Sequence, residues 1–399
     1  MMEAVQEDIV IVGGGIAGLT TSLGLHRLGI RSLVLESSDS LRITGSAFTT
    51  WTNAWKALDA LGLGDSLRPN HQRLSGSMAT STISFEAKGH EVRCLQRKLL
   101  LEALSNELPS GTIRFSSKVV SVEESGFYKL VHLADGTILK TKVLIGCDGV
   151  NSVVAKWLGF KKPAFTGRCA IRGCVDLKRN HGFGTKFKQF FGRGFRSGFI
   201  PCDETTVYWF LTWTLSSSSQ EKEMEDNPAE MKRFVLSKLG EVPDVVEAII
   251  ENTDLDGVTS SPLKYRHPWE LLWGNISKDN VCVAGDALHP MTPDLGQGGC
   301  AALEDGVVLA RCLAEALLKE PSGEKGERDE CKRIEMGLNK YAKERRWRSI
   351  VLISIAYMVG FIQQGNGKVM SFLRDKVSAY IPGLQLKMAD FDCGKLIIS

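Results

Sequence analysis

The run CVAGDALHPMTPDLGQGG (282–299) carries side chains and a backbone that could hold a polar ligand. An apolar strand is predicted at its start, over DNVCVAGD and ending at Asp286, and a helix is predicted from Gln297 to Leu318. Glycine and proline at this density indicate a backbone shaped to approach another molecule closely. His289 could deprotonate a phenol, because imidazole titrates in a useful range. A histidine that only braces the turn is the alternative.

A second glycine-rich turn lies near the N-terminus, in DIVIVGGGIAGLTTSLGLHRLGIRSLVLES. Gly13, Gly15 and Gly18 fit the pattern G-x-G-x-x-G between an apolar strand and an amphipathic helix. These glycines permit a tight turn, the approach of a pyrophosphate to the backbone, and close packing of helix on strand. Glu36 ends the following strand, where an acid accepts hydrogen bonds from a ribose. The motif predicts an ADP-bearing cofactor, either FAD or NAD, rather than a structural turn.

This motif is the one dinucleotide-binding pattern in the sequence. The nearest other candidate, GRGFRSG (192–198), has one residue too many before its third glycine and follows no strand–helix pattern. We therefore expect any nicotinamide cofactor to visit transiently, without a second dinucleotide fold of its own.

The composition excludes several classes of protein. A net charge of +3 over 399 residues argues against nucleic-acid binding. The ten cysteines include no CxxC pair, and no histidine stands at ligand spacing from a cysteine. We therefore expect neither a disulfide framework nor a metal site.

The most apolar segment, IVLISIAYMVGFI (350–362), is thirteen residues long, whereas a membrane span needs about 20. A buried or interface helix is the simpler interpretation, although ERRWR (344–348) just before it leaves a membrane-surface role open. With no signal or transit peptide in the sequence, we expect a cytoplasmic protein with little membrane contact.

Two further segments in the first half of the chain have polar residues at the ends of apolar elements. KVLIGCDGVNSVVAKWLG (142–159) predicts a buried strand that ends at Asp148-Gly149, followed by a turn and a helix. CLQRKLLLEALSNEL (94–108) predicts an amphipathic helix with Arg97 near its start and a buried face that includes Leu99, Leu100, Leu104 and Leu108. Taken singly, each could be an ordinary turn or a solvated helix charge.

Taken together and in this order, the glycine turn with Glu36, the helix with Arg97, IGCDG and AGDALHPMTPDLGQGG resemble the class A flavoprotein monooxygenases, which have the aromatic-hydroxylase fold. TNAWKALDALGLGDSL (52–67) and KYRHPWELLWGN (264–275) look most like plant members related to salicylate hydroxylase, and more distantly like zeaxanthin epoxidase. The resemblance covers nearly the whole chain.

The resemblance implies that the run 282–299 wraps the flavin of FAD. Asp286 would then bond to the ribityl hydroxyls, and Pro293 would lie near the isoalloxazine ring. Gly296 and Gly298 would let backbone N–H groups approach the O2/N1 edge of the ring. Gln297 and Gly299 complete this expected set of contacts.

The resemblance also assigns roles to the other motifs. Arg97 would contact the phosphate–ribose part of FAD, and Arg42 would lie beside the flavin. Asp148 and Gly149 would support FAD binding and reduction by NAD(P)H. The remaining expected cofactor contacts are Ile16, Ala17, Ser37 and Val120.

One departure from the family pattern concerns the turn after Asp148. The family continues D-G-x-x-S-x-V-R, but this chain has Ala155 in place of the arginine, with Lys156 next. A lysine is a point charge without the guanidinium fork, so it replaces an arginine only in part. The strength of NAD(P)H or pyrophosphate contact is therefore in question, but not the flavin.

The activity that the resemblance implies is an FAD-dependent monooxygenase using NAD(P)H and O2. Tightly bound FAD, reduced by transient NAD(P)H, would form a C4a-hydroperoxide that hydroxylates or epoxidises a small aromatic or terpenoid-like substrate. Two alternatives stay open: a flavin reductase or dehydrogenase that inserts no oxygen, and a non-catalytic FAD-binding protein. We expect a monomer or weak dimer.

The expected fold is α/β (α+β), with a Rossmann-like FAD-binding domain around a parallel sheet, an interleaved antiparallel-sheet substrate domain, and C-terminal helices. The FAD-binding domain is predicted over 1–70, 93–162 and 277–330. The substrate domain is predicted over 71–92 and 163–276, and the C-terminal helical segment over 331–399.

Strand alternation guides the prediction of a substrate pocket. In TVYWFLTW, Tyr208 and Phe210 fall on one face and Trp209 and Leu211 on the other. One face would cover the flavin. We expect the pocket residues to be Arg172, Phe191 and Phe210. Arg266 and Trp269 are expected near the domain junction without a chemical role.

Overall fold

The computed structural model of the chain describes residues 5–41, 46–79, 82–87, 89–215, 227–318, 326–364 and 380–397. Its strands are β1 (Val5–Val12), β2 (Leu33–Leu35), β3 (Ala47–Thr50), β4 (Gly76–Ala79), β5 (Thr82–Glu86), β6 (Arg93–Gln96), β7 (Ile113–Arg114), β8 (Val119–Ser125), β9 (Tyr128–Leu133), β10 (Ile138–Gly146), β11 (Ala164–Asp176), β12 (Lys186–Gly192), β13 (Phe195–Pro201), β14 (Thr206–Thr214), β15 (Thr259–Tyr265), β16 (Ser277–Lys278) and β17 (Val281–Val283). Its α-helices are α1 (Ile16–Arg27), α2 (Thr52–Ala60), α3 (Gly64–Leu67), α4 (Arg97–Asn106), α5 (Val153–Trp157), α6 (Pro228–Leu239), α7 (Asp244–Glu251), α8 (Pro268–Trp273), α9 (Gly298–Leu318), α10 (Glu327–Gln364) and α11 (Ile381–Met388). Among these helices, none is both long enough and apolar enough to cross a lipid bilayer.

The first of two large sheets is built around parallel strands. Its main path has the order β16-β17-β10-β1-β2-β7, and β10 pairs in parallel with both β1 and β17. The C-terminal half of β1, Ile9–Val12, is almost completely buried, as expected for a parallel strand covered on both faces. Helix α1 packs closely on α9 because glycine meets alanine there: a Cβ atom on Gly24 would lie 2.7 Å from the Cβ atom of Ala310.

The second large sheet has the order β15-β11-β14-β13-β12-β4-β5 and is antiparallel except for the pair of β4 and β12. Trp209 and Leu211 of β14 lie in a core formed with α6 and α7. Tyr208 and Phe210 face the other way and pack with the core of the first sheet. The predicted alternation in TVYWFLTW is present in the structure.

Two predicted boundaries differ in the structure. The strand expected to end at Asp286 ends at Val283, because Gly285 has a positive φ of 60° and a 3-10 turn, Gly285–Ala287, follows. The segment from Arg93 to Gln96 is strand β6, paired with β3, so the helix begins only at Arg97. The helix buries Leu100, Leu101 and Leu104, whereas Leu99 and Leu108 are half-buried.

Helix α10 joins the two halves of the molecule. The Tyr341 hydroxyl donates to the carbonyl of Val283 in β17 at 3.0 Å, and near the other end Gln364 donates to the Thr212 hydroxyl of β14. The apolar run 350–362 lies within this helix. Only one side of that run is buried, which is the behaviour of an interface helix.

Candidate active site

Of the three motif glycines in the N-terminal turn, only Gly15 has open space around it. Gly13 has φ +104°, and a Cβ atom there would lie 2.4 Å from the carbonyl oxygen of Cys147. A Cβ atom on Gly18 would lie 1.9 Å from the carbonyl oxygen of Gly13. A Cβ atom on Gly15 would meet nothing within 4 Å. The turn is thus closed by its first and third glycines and offers accessible backbone at the second.

The first turn of α1 is suited to an anion. Gly15 is its N-cap, no side chain caps the helix, and no acidic residue lies in the first turn, which begins with Ile16 and Ala17. Uncapped N–H groups and the positive end of the helix dipole make such a terminus a phosphate site.

Glu36 is held in place beside this turn. Its carboxylate accepts hydrogen bonds from the backbone N–H groups of Gly14 at 2.9 Å and Ser38 at 2.8 Å, and from the Ser37 hydroxyl at 3.2 Å. The residue is only 7% exposed. These bonds fix the carboxylate at the end of β2, where a ribose hydroxyl could reach it.

The 3-10 turn Gly285–Ala287 presents one carboxylate to solvent. Asp286 is exposed while both neighbours are buried. The turn sits directly beside the N-terminal motif, because a Cβ atom on Gly285 would lie 2.7 Å from the Cβ atom of Ala17. It also packs against the turn that follows Asp148. Three of the motifs in the sequence therefore meet at one place.

The end of the same loop leaves a second open backbone position. Gly296 has a positive φ of 65°, and a Cβ atom on Gly299 would lie 2.5 Å from the ring of Phe48. At Gly298, the first residue of α9, the nearest atom to a Cβ would be 3.8 Å away. The exposed side chain of Pro293 lies just before this helix start.

Only the backbone of Gln297 is available to a ligand at the start of α9, because its side chain points into the protein. The side chain is fully buried, and its carbonyl oxygen accepts a hydrogen bond from Asn53 at 2.8 Å. The same amide of Asn53 donates to Glu304 of α9 at 2.5 Å. These bonds tie the start of α9 to α2.

His289 lies inside the protein and is engaged by a carboxylate. Its Nε2 lies 2.6 Å from Asp305 Oδ2, and neither residue is exposed. Burial alone would raise the pKa of Asp305, but the nearby His289 ring and the Arg345 guanidinium outweigh it and hold the pKa at about 2. A base for a substrate phenol must reach the substrate, so this geometry favours the bracing role of His289 over its predicted role as a base.

The carboxylate of Asp148 is occupied by the protein itself. It accepts hydrogen bonds from the Ser152 hydroxyl at 2.5 Å and from the backbone N–H group of Val153 at 2.7 Å, at the start of α5. Burial raises the pKa of this carboxyl group although the hydrogen bonds oppose the shift. The next residue, Gly149, has φ +76° and open space around it, so this turn offers backbone rather than a free carboxylate.

The chain has Ala155 at the position of the family arginine, with Lys156 next to it. Ala155 is buried in the core, and its N–H group donates to the hydroxyl of Ser152, the N-cap of α5, at 2.8 Å. Lys156 is exposed, one residue further around α5. The two positions thus face different surroundings.

The other predicted cofactor contacts are Arg97, Val120 and Arg42. Arg97 begins α4 and is half-buried, with its backbone N–H group bonded to the carbonyl of Ser46. Val120 is 49% exposed on β8. Arg42 lies outside the described residues.

The predicted substrate residues lie on one face of the second sheet. Arg172 of β11 stands opposite Phe210 of β14, and its guanidinium donates to the Ser261 hydroxyl at 3.2 Å. The Phe210 ring is 6.3 Å from that of Phe187, and Phe191 falls on the same face of β12 as Phe187 by strand alternation. Arg172, Phe191 and Phe210 therefore share one face, which is partly aromatic and partly cationic.

A buried charge cluster at this face was not predicted. Asp294 lies 3.0 Å from Arg168 and 3.6 Å from Arg196, and all three residues are at most 6% exposed. Burial lowers the pKa of Arg196, with Asp294 opposing and Arg168 reinforcing the shift. With two guanidinium groups and one carboxylate, the cluster carries an excess positive charge. Strand alternation could have placed Arg168 on the face of Arg172, but nothing local pairs it with Asp294.

Within the described residues, no group of three or more histidine, cysteine, aspartate or glutamate side chains is arranged to hold a metal ion. The open backbone at Gly15 and Gly298, the exposed Asp286 and the two helix starts suit a long, phosphate-bearing ligand with an extended polar chain.

Comparison with known proteins agrees with this geometry. A family model described as "FAD binding domain" matches residues 6–326. The chain is 60% identical to Monooxygenase 2 of Arabidopsis thaliana, with all of both chains covered. Among solved structures, it resembles Klebsiella pneumoniae HpxO complexed with FAD and uric acid at a TM-score of 0.79 and 22% identity, covering 98% of this chain and 96% of that one. It also resembles a salicylate hydroxylase substrate complex at a TM-score of 0.69 and 17% identity, covering 98% of each chain.

Proposed function

The chain belongs to the FAD-binding-domain family and is an FAD-dependent monooxygenase; from this premise we propose that it uses NAD(P)H and O2 to hydroxylate or epoxidise a small aromatic or terpenoid-like molecule. The observation that carries the proposal is the meeting of three motifs: the glycine turn of Gly15, the turn with the exposed Asp286, and the turn that follows Asp148. FAD, when bound, would supply the redox chemistry with NAD(P)H and O2.

We assign the binding of FAD to backbone N–H groups and carboxylates of these motifs. The N–H groups from Gly15 to Gly18, including those of Ile16 and Ala17, would hold the pyrophosphate, and Glu36 would accept from the ribose. Asp286 would accept from the ribityl hydroxyls. Arg97, Ser37, Val120 and the turn at Asp148-Gly149 remain proposed contacts around these groups.

At the flavin end, the start of α9 would stabilise negative charge. Gly298 lies at the positive end of a 21-residue helix, and Gly296, Gln297 and Gly299 shape the backbone before it. Preorganised N–H groups at such an end stabilise an oxyanion without reorganisation. Pro293 would cover the ring from the same loop.

We propose that the substrate lies between this loop and the face of the second sheet. Phe210 and Phe191 would offer aromatic surface, and Arg172 would offer a cation to an acidic or phenolic group. The excess positive charge of Arg168 and Arg196 over Asp294 favours an anionic or polar aromatic substrate further. Relatives of the same fold support this class, since one is described in complex with uric acid and another is a salicylate hydroxylase.

We propose that the segments around the first sheet bind FAD and those around the second sheet bind the substrate. Segments 1–70, 93–162 and 277–330 would bind FAD, and segments 71–92 and 163–276 would bind the substrate. NAD(P)H would enter transiently. Because Lys156 is exposed and, as a point charge, replaces the family arginine only in part, we expect NAD(P)H to bind weakly without substrate.

The test is oxygen incorporation by the purified flavoprotein. NADH and NADPH would be added in air to the protein with a panel of phenolic acids, and the products would be analysed after reaction in labelled O2. We expect one compound to accelerate flavin bleaching and to gain one labelled oxygen atom. Substrate-stimulated NAD(P)H oxidation with no label in any product would favour a reductase instead, and a bound flavin that no nicotinamide reduces would favour a non-catalytic protein.

A further inference from the structure

An exposed apolar patch covers neighbouring parts of α8 and α10. Each of its six members is more than a third exposed: Trp269 (55%), Leu272 (39%), Trp273 (80%), Trp347 (64%), Met358 (50%) and Phe361 (58%). We call these six residues the α8–α10 patch. Single exposed apolar residues are ordinary on a protein surface, whereas a contiguous group with three tryptophans marks an interaction site.

The patch is continuous because two contacts tie α8 to α10. The Arg346 guanidinium donates to the backbone carbonyls of Leu271 and Gly274, which places the end of α8 beside Trp347. On the other side, the Tyr357 ring stacks on Tyr265 with centroids 4.5 Å apart. His267 continues this row of rings: its centroid lies 4.9 Å from that of Tyr265 in a T-shaped contact and 4.2 Å from that of Trp269, on which it stacks.

The α10 part of the patch is a stripe along the helix. Trp347, Met358 and Phe361 recur at the spacing that keeps side chains on one side of an α-helix. The opposite side carries Ile353 and Ala356, which are fully buried against the rest of the protein. The exposed apolar stripe is therefore separate from the apolar side of α10 that packs in the core.

The edge of the patch is positively charged. Lys343 is exposed one helical turn before Trp347. Lys161 and Lys162 are exposed beside α8, where the carbonyl of Lys161 accepts from the Arg266 guanidinium at 3.2 Å. The acidic residues within 266–274 and 343–361 are Glu270 and Glu344. Each is paired with an arginine: Glu270 with Arg266 at 3.3 Å, and Glu344 with Arg311 at 2.8 Å.

We propose that the α8–α10 patch docks the protein on an anionic lipid surface. Tryptophan rings favour the membrane–water interface, and lysine or arginine side chains beside them attract anionic headgroups. A second copy of the chain is the less suitable occupant, because a twofold contact would bring the basic edges Lys161 and Lys343 of both copies together. This inference goes beyond the proposed reaction and does not depend on it.

The test is co-flotation of the full-length, FAD-containing protein with vesicles. Phosphatidylcholine vesicles with and without phosphatidylserine would be compared, and we expect binding to the anionic ones. Changing Trp269→Ser with Trp273→Ser should lower the partition coefficient by at least about tenfold. The matched control, Phe127→Ser with Leu255→Ser, removes residues that are 48% and 51% exposed outside the patch and should leave binding unchanged.

The basic edge is tested separately. Changing Lys161→Glu with Lys162→Glu should lower binding to anionic vesicles by about fivefold or more for each residue. The control Lys118→Glu with Arg179→Glu changes exposed cations elsewhere and should have little effect. The flavin spectrum of every variant reports on folding.

Three outcomes would overturn the proposal. The wild-type protein could fail to float with either vesicle, or the tryptophan pair could be removed without loss of binding. The third is a sedimentation result in which the wild type self-associates, the tryptophan variant is monomeric, and neither floats. That result would assign the patch to a second copy of the chain.

Discussion

The carboxylate of Asp305 lies 2.6 Å from Nε2 of His289, and neither side chain is exposed to solvent. The same carboxylate accepts the backbone N–H group of Gly285 at 2.7 Å and lies 2.6 Å from Nε of Arg345. Asp305 therefore holds both ends of the turn that leaves Asp286 exposed. Since Asp305 belongs to α9, this pair also joins that turn to the helix that starts at Gly298.

Removing the charge of Asp305 should destabilise the protein. In Asp305→Asn, His289 and Arg345 lose a buried counter-charge, and breaking a buried pair from one side costs about 3 kcal/mol. The free energy of unfolding by chemical denaturation measures this loss. Asp256→Asn is the control, because Asp256 is exposed. A loss no larger than that of the control would show that Asp305 does not anchor the turn.

Stability should fall in acid in a window set by Asp305. Its folded pKa of about 2 lies below the ordinary value of 3.8, so protonation favours the unfolded chain. This contribution, about 2 kcal/mol, is present above the ordinary value and is lost as the pH falls towards the folded pKa. Denaturant midpoints of the wild type should drop between about pH 5 and about pH 2.5, and those of Asp305→Asn should drop less. If the denaturant midpoints of the wild type and Asp305→Asn fell equally with decreasing pH, the loss would be due to other carboxylates.

Asp286→Ala should release FAD while the fold survives. The side chain is exposed, so its loss costs little stability, but we assign it the ribityl hydroxyls. The ratio of flavin to protein absorbance after gel filtration measures the bound cofactor, with Asp256→Ala as the control. Full flavin content in Asp286→Ala would remove Asp286 from the cofactor site.

Glu36→Gln should weaken FAD binding less severely than Asp286→Ala. Gly14 and Ser38 donate to different oxygens of Glu36, so the amide keeps an acceptor for only one of these N–H groups. It also loses the charge-assisted bond to a ribose, which is worth about 1.5–3 kcal/mol. We expect the dissociation constant for FAD to rise by about tenfold or more, by fluorescence titration of the apoprotein. An unchanged constant would mean that Glu36 only shapes the turn.

The turns of the candidate cofactor site follow from local motifs in the sequence, whereas its distant pairings do not. Gly13, Gly15 and Gly18 act within six residues, so their spacing alone indicates a turn that the structure contains. Asp305 meets His289 only because α9 folds back on the loop, and no spacing in the sequence announces that pair.

Strand alternation predicts which residues share the substrate face, but not which residues lie opposite one another. The pattern placed Phe210 on one face, but the register that sets it opposite Arg172 depends on hydrogen bonds between two strands. The ion pair of Arg168 with Asp294 joins β11 to the turn before α9 across 126 residues of chain, which is beyond any local signal.

Gly15 offers the sharpest test of where the pyrophosphate lies. Its φ is −84°, and a Cβ atom there would meet nothing within 4 Å, so Gly15→Ala should fold without strain. The added methyl group would stand where we place the pyrophosphate. We expect normal stability but FAD binding weaker by at least about tenfold, measured by thermal unfolding and by fluorescence titration.

Two other glycines separate a lost ligand from a lost fold. Gly18→Ala would bring its Cβ atom to 1.9 Å from the carbonyl oxygen of Gly13, so this variant should lose stability as well as FAD. Gly326→Ala has open space and lies outside the motifs, so it should change neither property. If Gly15→Ala binds FAD as tightly as the wild type does, the pyrophosphate does not approach the backbone at Gly15. The assignment of the whole N-terminal turn to the cofactor would then be wrong, because that approach is the reason for a glycine at this position.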